Sequence, residues 1–414
     1  MDDYRLLETS DAVEELAARL RRERVIAVDT EADSFFHYFD KLCLIQIACK
    51  SGIFLVDPLA LPKKGLAPLE PIFADPEVRK IFHAADYDLY VLQRYGNVRV
   101  RNIFDTMIST QLLGYPAVGL SALVERHFGI KLSKDQQRTD WSRRPLKPVQ
   151  LEYAASDVRY LIELTSRLEK ELRAKKRLSW AKEEFALLEE KVWRERRFDT
   201  EGYLRIKGAK KLTPQGLAVL RELYLVRDKR ARKMDKPPFK VLGNGTLLEL
   251  AQNPPESRRA LNNRKGVTDL VVRRHGQEIL EGVSRGMNGP EHPPPERKAQ
   301  GGGRRRLDRR GETRLEQLKR WRTVHSKELG MDPGVLCPNA MLEQIAWANP
   351  KSIEQLGKLD ALRGWRLEAI GKQAFAALGH TTEAPRPKVP VAEKPAASRV
   401  GRRPSSKKRA PSRD

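Results

Sequence analysis

The sequence has few cysteines and no long apolar run. Its three cysteines, Cys43, Cys49 and Cys337, are odd in number and form no C-x-x-C pair. This spacing supports neither a disulfide framework nor a zinc knuckle, and a reducing compartment is the simplest setting for it. No stretch approaches the roughly 18 consecutive apolar residues of a membrane span, and the acidic N-terminus does not resemble a secretory leader. We therefore predict a cytoplasmic protein with no membrane partner.

Acidic residues are scarce in the second half of the chain. Residues 1–200 hold 33 Lys and Arg against 32 Asp and Glu, whereas residues 201–414 hold 46 against 23. Nearly all of the net charge of +24 therefore belongs to the second half. Such asymmetry favours a polyanionic partner, most often nucleic acid, with a solubilising surface as the alternative.

Apolar runs of strand length alternate with helical patterns in the first half. The strand candidates are VIAVD, LCLIQIA, GIFLVDP and KIFHA, and helical patterns occur at DYDLYVLQRYG, DTMISTQLLG and LSALVERHFGI. Apolar residues recur at intervals of three or four after Pro148, which predicts a long helix with a charged helical exit. The alternation predicts an α/β domain over residues 1–200.

The second half is helical in pattern and repeats itself. LLELAQNPPESRRAL (247–261) recurs as LEQIAWANPKSIEQL (342–356), and Gly276 corresponds to Gly371. The offset is 95 residues in both cases. Two copies of one small helical domain are therefore predicted.

The composition around these copies sets the predicted domain limits. We place the first repeat at residues 208–287 and the second repeat at residues 312–380. Residues 288–311 between them are rich in Pro, Gly and Arg, which predicts a flexible basic linker. Residues 381–414 have too few apolar side chains to pack, and we predict a disordered basic tail.

Two carboxylates follow the first buried strand candidate, in VIAVDTEADSF. Residues i and i+2 of a strand point to the same face, so Asp29 and Glu31 lie side by side. Ends of buried strands are where sites occur in α/β folds. The alternative is a loop that simply begins with acidic caps, and this pair alone does not separate the two.

Two further stretches add acidic residues to this pair. IFHAADYDLYVL places Asp86 and Asp88 where a strand passes into a helix, and YAASDVRYL places Tyr153 and Asp157 one helical turn apart. Helix capping and core packing are the alternatives. Clustered carboxylates raise each other's pKa values, and a pair of divalent cations relieves that repulsion. Hard oxygen ligands favour Mg²⁺ or Mn²⁺ over zinc, and two such ions clamp the attacking and leaving oxygens of a phosphodiester.

Together these stretches resemble the ribonuclease D family of DEDD-type 3′→5′ exonucleases, in the branch with a tyrosine in the third motif. VDTEADSFFHYFDKLCLIQIA, IFHAADYDLYVL and YAASDVRYL match its three motifs, and the resemblance spans roughly residues 4–200. The two repeats resemble the helicase-and-ribonuclease-D C-terminal (HRDC) domain. The resemblance implies a ribonuclease H-like α/β exonuclease domain with a mixed sheet, followed by two small all-α domains.

The resemblance also implies roles for the site residues. Asp29 would bridge two divalent cations, and Glu31 would bind one of them. Asp157 would complete the shell of the first cation, and Asp88 would hold the second, partly through water. Tyr153 would orient the attacking water.

Neighbouring polar residues receive weaker roles. The second motif of the family has its aspartate five residues after a histidine, which selects Asp88 rather than Asp86 next to His83. We interpret Asp86 as a cap or supporting group, His83 as a packing or hydrogen-bonding residue, and Asp105 as a helix N-cap. Their positions alone argue no catalytic role.

Three residues before the third motif are candidates for substrate binding. Trp141, Arg143 and Arg144 lie in DWSRRPLKPVQ, ahead of the helix that carries Tyr153. They are predicted to contact the scissile nucleotide, with packing as the alternative.

Together with the acidic set, the resemblance implies a metal-dependent 3′→5′ exoribonuclease that releases nucleoside 5′-monophosphates from tRNA precursors or other small structured RNAs. A DNA 3′→5′ exonuclease is the alternative, because the same carboxylates cleave either polymer. A non-catalytic nucleic-acid-binding scaffold is a third possibility. The acidic set argues against it, since a pure binder gains nothing from negative charge near phosphates.

Overall fold

The computed structural model describes residues 3–96, 98–192, 198–291, 307–359, 362 and 364–379. The predicted linker falls largely, and the predicted tail wholly, outside these residues. Within them, no helix is both long enough and apolar enough to cross a bilayer.

A mixed six-stranded sheet is the centre of the N-terminal part, within the described residues. Its strands are β1 (Tyr4–Leu7), β2 (Val25–Ala32), β3 (Leu42–Cys49), β4 (Gly52–Val56), β5 (Arg79–Phe82) and β6 (Ile103–Asp105). Their order across the sheet is β1-β4-β3-β2-β5-β6. Strand β3 is antiparallel to β2 and to β4, and the other neighbouring pairs are parallel. This is the predicted α/β arrangement.

Helices cover both faces of this sheet. They are α1 (Ser10–Leu20), α2 (Glu70–Ala74), α3 (Asp86–Gly96), α4 (Thr106–Leu113), α5 (Leu120–Phe128), α6 (Pro148–Arg159), α7 (Leu161–Ala174) and α8 (Leu178–Glu189), with a 3₁₀ turn at Ala67–Leu69. Every residue of β3 is buried, which explains why its sequence is a continuous apolar run. Ile26 and Val28 of β2 pack with α1 and α3, whereas Ala27 packs on the opposite face with α6 and α7. The alternation along β2 therefore directs the next odd-numbered residues toward α6.

The long helix predicted after Pro148 is divided into three helices. It turns first at Tyr160, between α6 and α7, and again at Lys176, which adopts a positive φ of 55° before α8. Helix α6 packs on β3 and β4, whereas α7 packs against β2 and β5. One straight helix could not follow the twisted sheet in this way, so the prediction of a single helix was wrong.

The second half is helical in both copies. The first repeat contains α9 (Pro214–Lys233), α10 (Pro238–Val241), α11 (Asn244–Gln252), α12 (Arg258–Asn262) and α13 (Asp269–Asn288), after 3₁₀ turns at Gly202–Arg205 and Ala209–Lys211. The second repeat contains α14 (Arg309–Glu328), α15 (Pro333–Leu336), α16 (Asn339–Ala348), α17 (Ile353–Gly357) and α18 (Trp365–Ala377). Equivalent leucines such as Leu261 and Leu356 are fully buried in both copies. The order of helices therefore matches between the copies, while the limits of the domains stay predictions.

The second repeat packs directly against the α/β domain. The Trp365 ring stacks on the Trp180 ring of α8, with centroids 4.5 Å apart, and Trp365 is 1% exposed. The Trp365 indole donates to Glu184 over 2.8 Å, and the Arg177 guanidinium donates to the Leu329 carbonyl over 2.6 Å. Apolar residues of both units form one continuous core. The second repeat thus packs on the α/β domain through a shared apolar core.

Candidate active site

Strand β2 ends in two acidic side chains on one face of the sheet. Asp29 and Glu31 follow Ala27 at intervals of two, so all three point toward α6. Pairing of β2 with β5 stops at Ala27, whereas pairing with β3 continues past Glu31. The two carboxylates therefore extend beyond the end of β5, beside the turn that leads into α3.

Helix α6 brings a third carboxylate to this edge. It packs against β2, β3 and β4, and Asp157 projects from it. Ligand oxygens of Asp29, Glu31 and Asp157 all lie within 4.8 Å of one another. This separation lets the three side chains hold one metal ion, and carboxylate oxygens suit a hard divalent cation.

The two aspartates at the start of α3 point to different surroundings. Asp88 is 5% exposed, and its carboxylate accepts a hydrogen bond from the Thr30 hydroxyl over 2.6 Å. Thr30 lies between Asp29 and Glu31 on β2. Asp86 is exposed and forms an ion pair with Lys191. The structure thus brings Asp88, and not Asp86, to the acidic edge.

Burial and mutual repulsion raise the pKa values of all four carboxyls. Burial and then Asp157 raise the pKa of Asp29, while burial followed by Asp29, Asp157 and Asp88 raises that of Glu31. The pKa of Asp88 is raised by burial and then by Asp29. Burial raises the pKa of Asp157 to about 7, against a hydrogen bond from Tyr153 that lowers it. Four ionised carboxylates this close together need a compensating positive charge. Their oxygens are suitable ligands for divalent metal ions, which would supply that charge.

Tyr153 reaches the same group of carboxylates from α6. Its hydroxyl lies near Asp157, one helical turn away, and this proximity opposes the rise in the pKa of Asp157. Burial, followed by the charges of Asp157, Glu31 and Asp29, raises the pKa of Tyr153. The hydroxyl therefore stays protonated at neutral pH and acts as a hydrogen-bond donor or orienting group.

The three substrate-binding candidates have different surroundings. Trp141 is 1% exposed, and its ring centroid lies 6.0 Å from that of Tyr153. The Arg144 guanidinium donates to both oxygens of buried Asp57, over 2.5 and 2.6 Å. The Arg143 side chain is 82% exposed and pairs with Asp140. Trp141 and Arg144 have packing partners, and substrate contact by any of the three stays a prediction.

His83 and Asp105 occupy structural positions. Asp105 caps α4, accepting from the backbone amides of Met107 and Ile108. These bonds confirm its interpretation as an N-cap, and it also accepts from the backbone amide of Ala85, just before α3. His83 hydrogen-bonds to Thr106, and burial lowers its pKa to about 4. Its imidazole is therefore neutral at physiological pH.

Gln46 is a residue of this site that the sequence reasoning missed. It lies directly opposite Asp29 in the β2–β3 register, so its side chain faces α6 as well. Gln46 is fully buried, and both of its amide atoms are without a hydrogen-bond partner among the described residues. The one available indication was a glutamine inside the apolar run LCLIQIA.

Comparison with protein families identifies two kinds of domain in the chain. The sequence model of the 3′-5′ exonuclease family matches residues 4–173, and that of the HRDC domain family matches residues 216–283 and 311–378. Ribonuclease D of Pseudomonas paraeruginosa is 31% identical over 360 residues, which cover 86% of this chain and 93% of that protein. Ribonuclease D of Desulfotalea psychrophila is 29% identical over 375 residues, which cover 89% of this chain and 97% of that protein.

Solved structures agree with these matches. The structure of Escherichia coli RNase D, an exoribonuclease involved in structured RNA processing, superposes with a TM-score of 0.68 at 28% identity, covering 91% of this chain and 98% of that one. The catalytic core of RRP6 from Trypanosoma brucei superposes with a TM-score of 0.63 at 29% identity. The match covers 69% of this chain and 79% of that chain. The acidic edge of β2, the two helical repeats and these matches agree, and the chain belongs to the ribonuclease D family of 3′-5′ exoribonucleases.

Proposed function

We propose that the chain shortens RNA from the 3′ end, releases nucleoside 5′-monophosphates and matures tRNA precursors or other small structured RNAs. The observation that carries this proposal is the convergence of Asp29, Glu31 and Asp157, whose oxygens lie within 4.8 Å. The positive second half supports an RNA partner, since phosphates bind most strongly where Lys and Arg are in excess.

The acidic edge would hold two divalent cations, Mg²⁺ or Mn²⁺. Asp29 would contribute to both sites, Glu31 and Asp157 to one, and Asp88 to the other. When bound, the cations would supply the positive charge that offsets negative charge developing on the phosphodiester. Tyr153 would orient the attacking water, since its protonated hydroxyl is held beside Asp157.

Matched oligonucleotides test the proposed function. RNA and DNA of one sequence, labelled at the 5′ end, are incubated with Mg²⁺, with Mn²⁺ or with a chelator. We expect stepwise shortening of the labelled RNA with either metal and none with the chelator. Faster shortening of DNA would favour the DNA exonuclease, and intact RNA under all conditions would contradict the proposal.

Asp88→Asn and Asp86→Asn form a matched pair. We expect Asp88→Asn to lower kcat/KM for RNA at least about 100-fold, because even groups that only support metal ligands contribute 10–100-fold. Asp86→Asn removes an exposed ion pair with Lys191 and is expected to change kcat/KM less than about threefold. Steady-state kinetics measure both, and the reverse order would reassign the second motif.

Tyr153→Phe removes only the hydroxyl. We expect kcat to fall on the order of 100-fold, because positioning of a reacting group contributes about this much. The Kd for RNA, measured with a chelator present, is expected to stay within about twofold of the wild type, since the ring that packs near Trp141 remains. An unchanged kcat would leave Tyr153 a packing residue.

Metal binding is expected to stabilise the protein more at higher pH. Burial raises the pKa of Asp157 to about 7, whereas an aspartate in the unfolded chain titrates near 4. Between these values the folded chain binds more protons, so the metal-free protein loses stability as the pH rises. We therefore expect Mg²⁺ to raise Tm more at about pH 8 than at about pH 5. Thermal unfolding with Mg²⁺ or chelator measures this, and equal shifts at both pH values would contradict it.

A further inference from the structure

Exposed aromatic side chains are concentrated around one loop of the molecule. Residues 33–41, which we call the β2–β3 loop, carry Phe35 (56% exposed) and Phe39 (48% exposed). Tyr87 and Tyr95 of α3 are also exposed, and so is Phe239 of α10. Among the described residues, Trp347 is the one remaining aromatic side chain exposed to this degree. Single exposed apolar residues are common, but such a concentration marks an interaction surface.

This surface begins at the acidic edge. The β2–β3 loop starts two residues after Glu31, and Tyr87 immediately precedes Asp88. Tyr87 interacts with Ser34 at the start of the loop, which opposes the rise in the Tyr87 pKa that burial causes. At its other end, Asp40 forms an ion pair with Arg94 of α3. The loop and α3 therefore form one continuous face that leads away from the carboxylates.

The first repeat holds the opposite side of the β2–β3 loop. Asp235 accepts backbone amides of Tyr38 and Phe39 over 3.0 and 3.1 Å, and it contacts the His37 ring over 2.7 Å. Asp228 accepts from the Tyr38 hydroxyl over 2.7 Å. The loop is thus fixed with Tyr38 packed inward, while its two exposed phenylalanines face solvent.

These contacts leave the neighbouring helices strongly positive. Asp228 and Asp235 are the only acidic residues in the stretch 227–240, and both bind the β2–β3 loop. Five basic side chains of that stretch are exposed: Lys229, Arg232, Lys233, Lys236 and Lys240. The Lys240 ammonium lies 4.0 Å from the centroid of the Phe36 ring, directly beside exposed Phe239. Aromatic faces and an excess of cations therefore share one surface.

We propose that this aromatic and basic surface binds the unpaired nucleotides that lie 5′ of the scissile nucleotide of the RNA. Bases stack on aromatic faces regardless of their identity, and phosphates bind the cations, so such a surface suits single-stranded nucleic acid. Its continuity with the acidic edge matches a strand whose 3′ end enters the site. The inference rests on the proposed function, because the direction of the strand follows from 3′-end cleavage.

The surface also gives the first repeat a specific task. The segment 228–240 of the first repeat both binds the β2–β3 loop and carries the exposed Lys and Arg side chains. This part of the first repeat would therefore hold the aromatic side chains of the loop in place and also bind the phosphates of the RNA. A dinucleotide has only one nucleotide 5′ of the scissile nucleotide and so covers little of this surface. Longer RNA therefore gains more affinity from the surface than a dinucleotide does.

The test compares the Phe35→Ala/Phe39→Ala double variant with the Trp347→Ala control in the full-length chain. Both remove exposed aromatic rings, so both are expected to fold. We expect the double variant to weaken binding of a fluorescent single-stranded RNA of about 12 nucleotides at least 10-fold, because each stacked base contributes about 1–3 kcal/mol. The binding is measured by anisotropy with a chelator present, so that no cleavage is required. The control is expected to bind like the wild type.

Cleavage kinetics supply the second readout. With Mg²⁺ present, the ratio of kcat/KM for the longer RNA to kcat/KM for a dinucleotide is expected to fall at least about 10-fold in the double variant. A Lys236→Gln/Lys240→Gln variant is expected to bind RNA with a shallower salt dependence, by about 0.7 in log–log slope for each phosphate that is no longer neutralised. Wild-type RNA binding by the double variant would overturn the proposal and leave the surface to a protein partner. A different result would contradict the proposed function: the unmodified protein binds RNA, the double variant binds it more weakly, and the unmodified protein cleaves neither the longer RNA nor the dinucleotide.

Discussion

Asp29→Asn is expected to lower kcat for RNA at least about 100-fold at saturating Mg²⁺, with the fold intact. The Asp29 carboxylate lies within 4.8 Å of ligand oxygens of Glu31 and Asp157, and its charge raises the pKa values of Glu31 and Asp88. Supporting groups of metal ligands contribute about 10–100-fold, so loss of the proposed shared ligand is expected to cost more. Steady-state hydrolysis of 5′-labelled RNA measures the effect.

Stability separates loss of metal binding from misfolding in this variant. Asparagine has nearly the shape of aspartate but carries no charge, so it removes repulsion among the clustered carboxylates. The metal-free variant is therefore expected to melt at or above the Tm of the metal-free wild type, while the rise in Tm caused by Mg²⁺ shrinks. Near-normal turnover, or an undiminished response to Mg²⁺, would mean that Asp29 is not a shared ligand.

Trp365→Ala is expected to lower the free energy of unfolding by about 3–5 kcal/mol, the usual range for a buried tryptophan. The Trp365 side chain is almost fully buried, stacks on Trp180 and donates to Glu184 across the junction between the second repeat and the α/β domain. Its truncation leaves a cavity and removes the indole donor from Glu184. Denaturant unfolding measures the loss, with Trp347→Ala, whose ring is 42% exposed, expected to cost less than about 1 kcal/mol.

A pair of glycines tests whether the junction itself carries this stability. Gly114 and Gly129 both end helices at positive φ, 80° and 73°, where alanine is strained by about 1–2 kcal/mol. A Cβ at Gly114 would lie 1.7 Å from the Gly330 carbonyl oxygen of the second repeat, whereas one at Gly129 meets nothing within 4 Å. Gly114→Ala is therefore expected to cost about 1–3 kcal/mol more than Gly129→Ala. Equal losses of unfolding free energy in the two variants would show that the backbone at Gly330 moves to accommodate the added Cβ without a measurable loss of stability.

Local patterns in the sequence determined the composition of the acidic edge. A strand that ends in D-x-E presents both carboxylates on one face whatever surrounds it, and a spacing of four brings Tyr153 and Asp157 together on any helix. The duplication was also readable, because equivalent buried leucines recur at a constant offset. Each of these features depends on residues that are near in sequence or on direct comparison of two stretches.

Only the tertiary structure decided how these parts meet. The turn at Tyr160 that separates α6 from α7 follows the twist of the sheet, and the helical periodicity on both sides of it is uninterrupted. The burial of Gln46 opposite Asp29 follows from the β2–β3 register. Asp235 binds the β2–β3 loop from nearly two hundred residues away, and Trp365 completes the core of the α/β domain from the far end of the chain. Such contacts join residues that are far apart in sequence. Local periodicity indicates which face of a helix or strand is apolar, but it does not indicate which distant segment packs on that face.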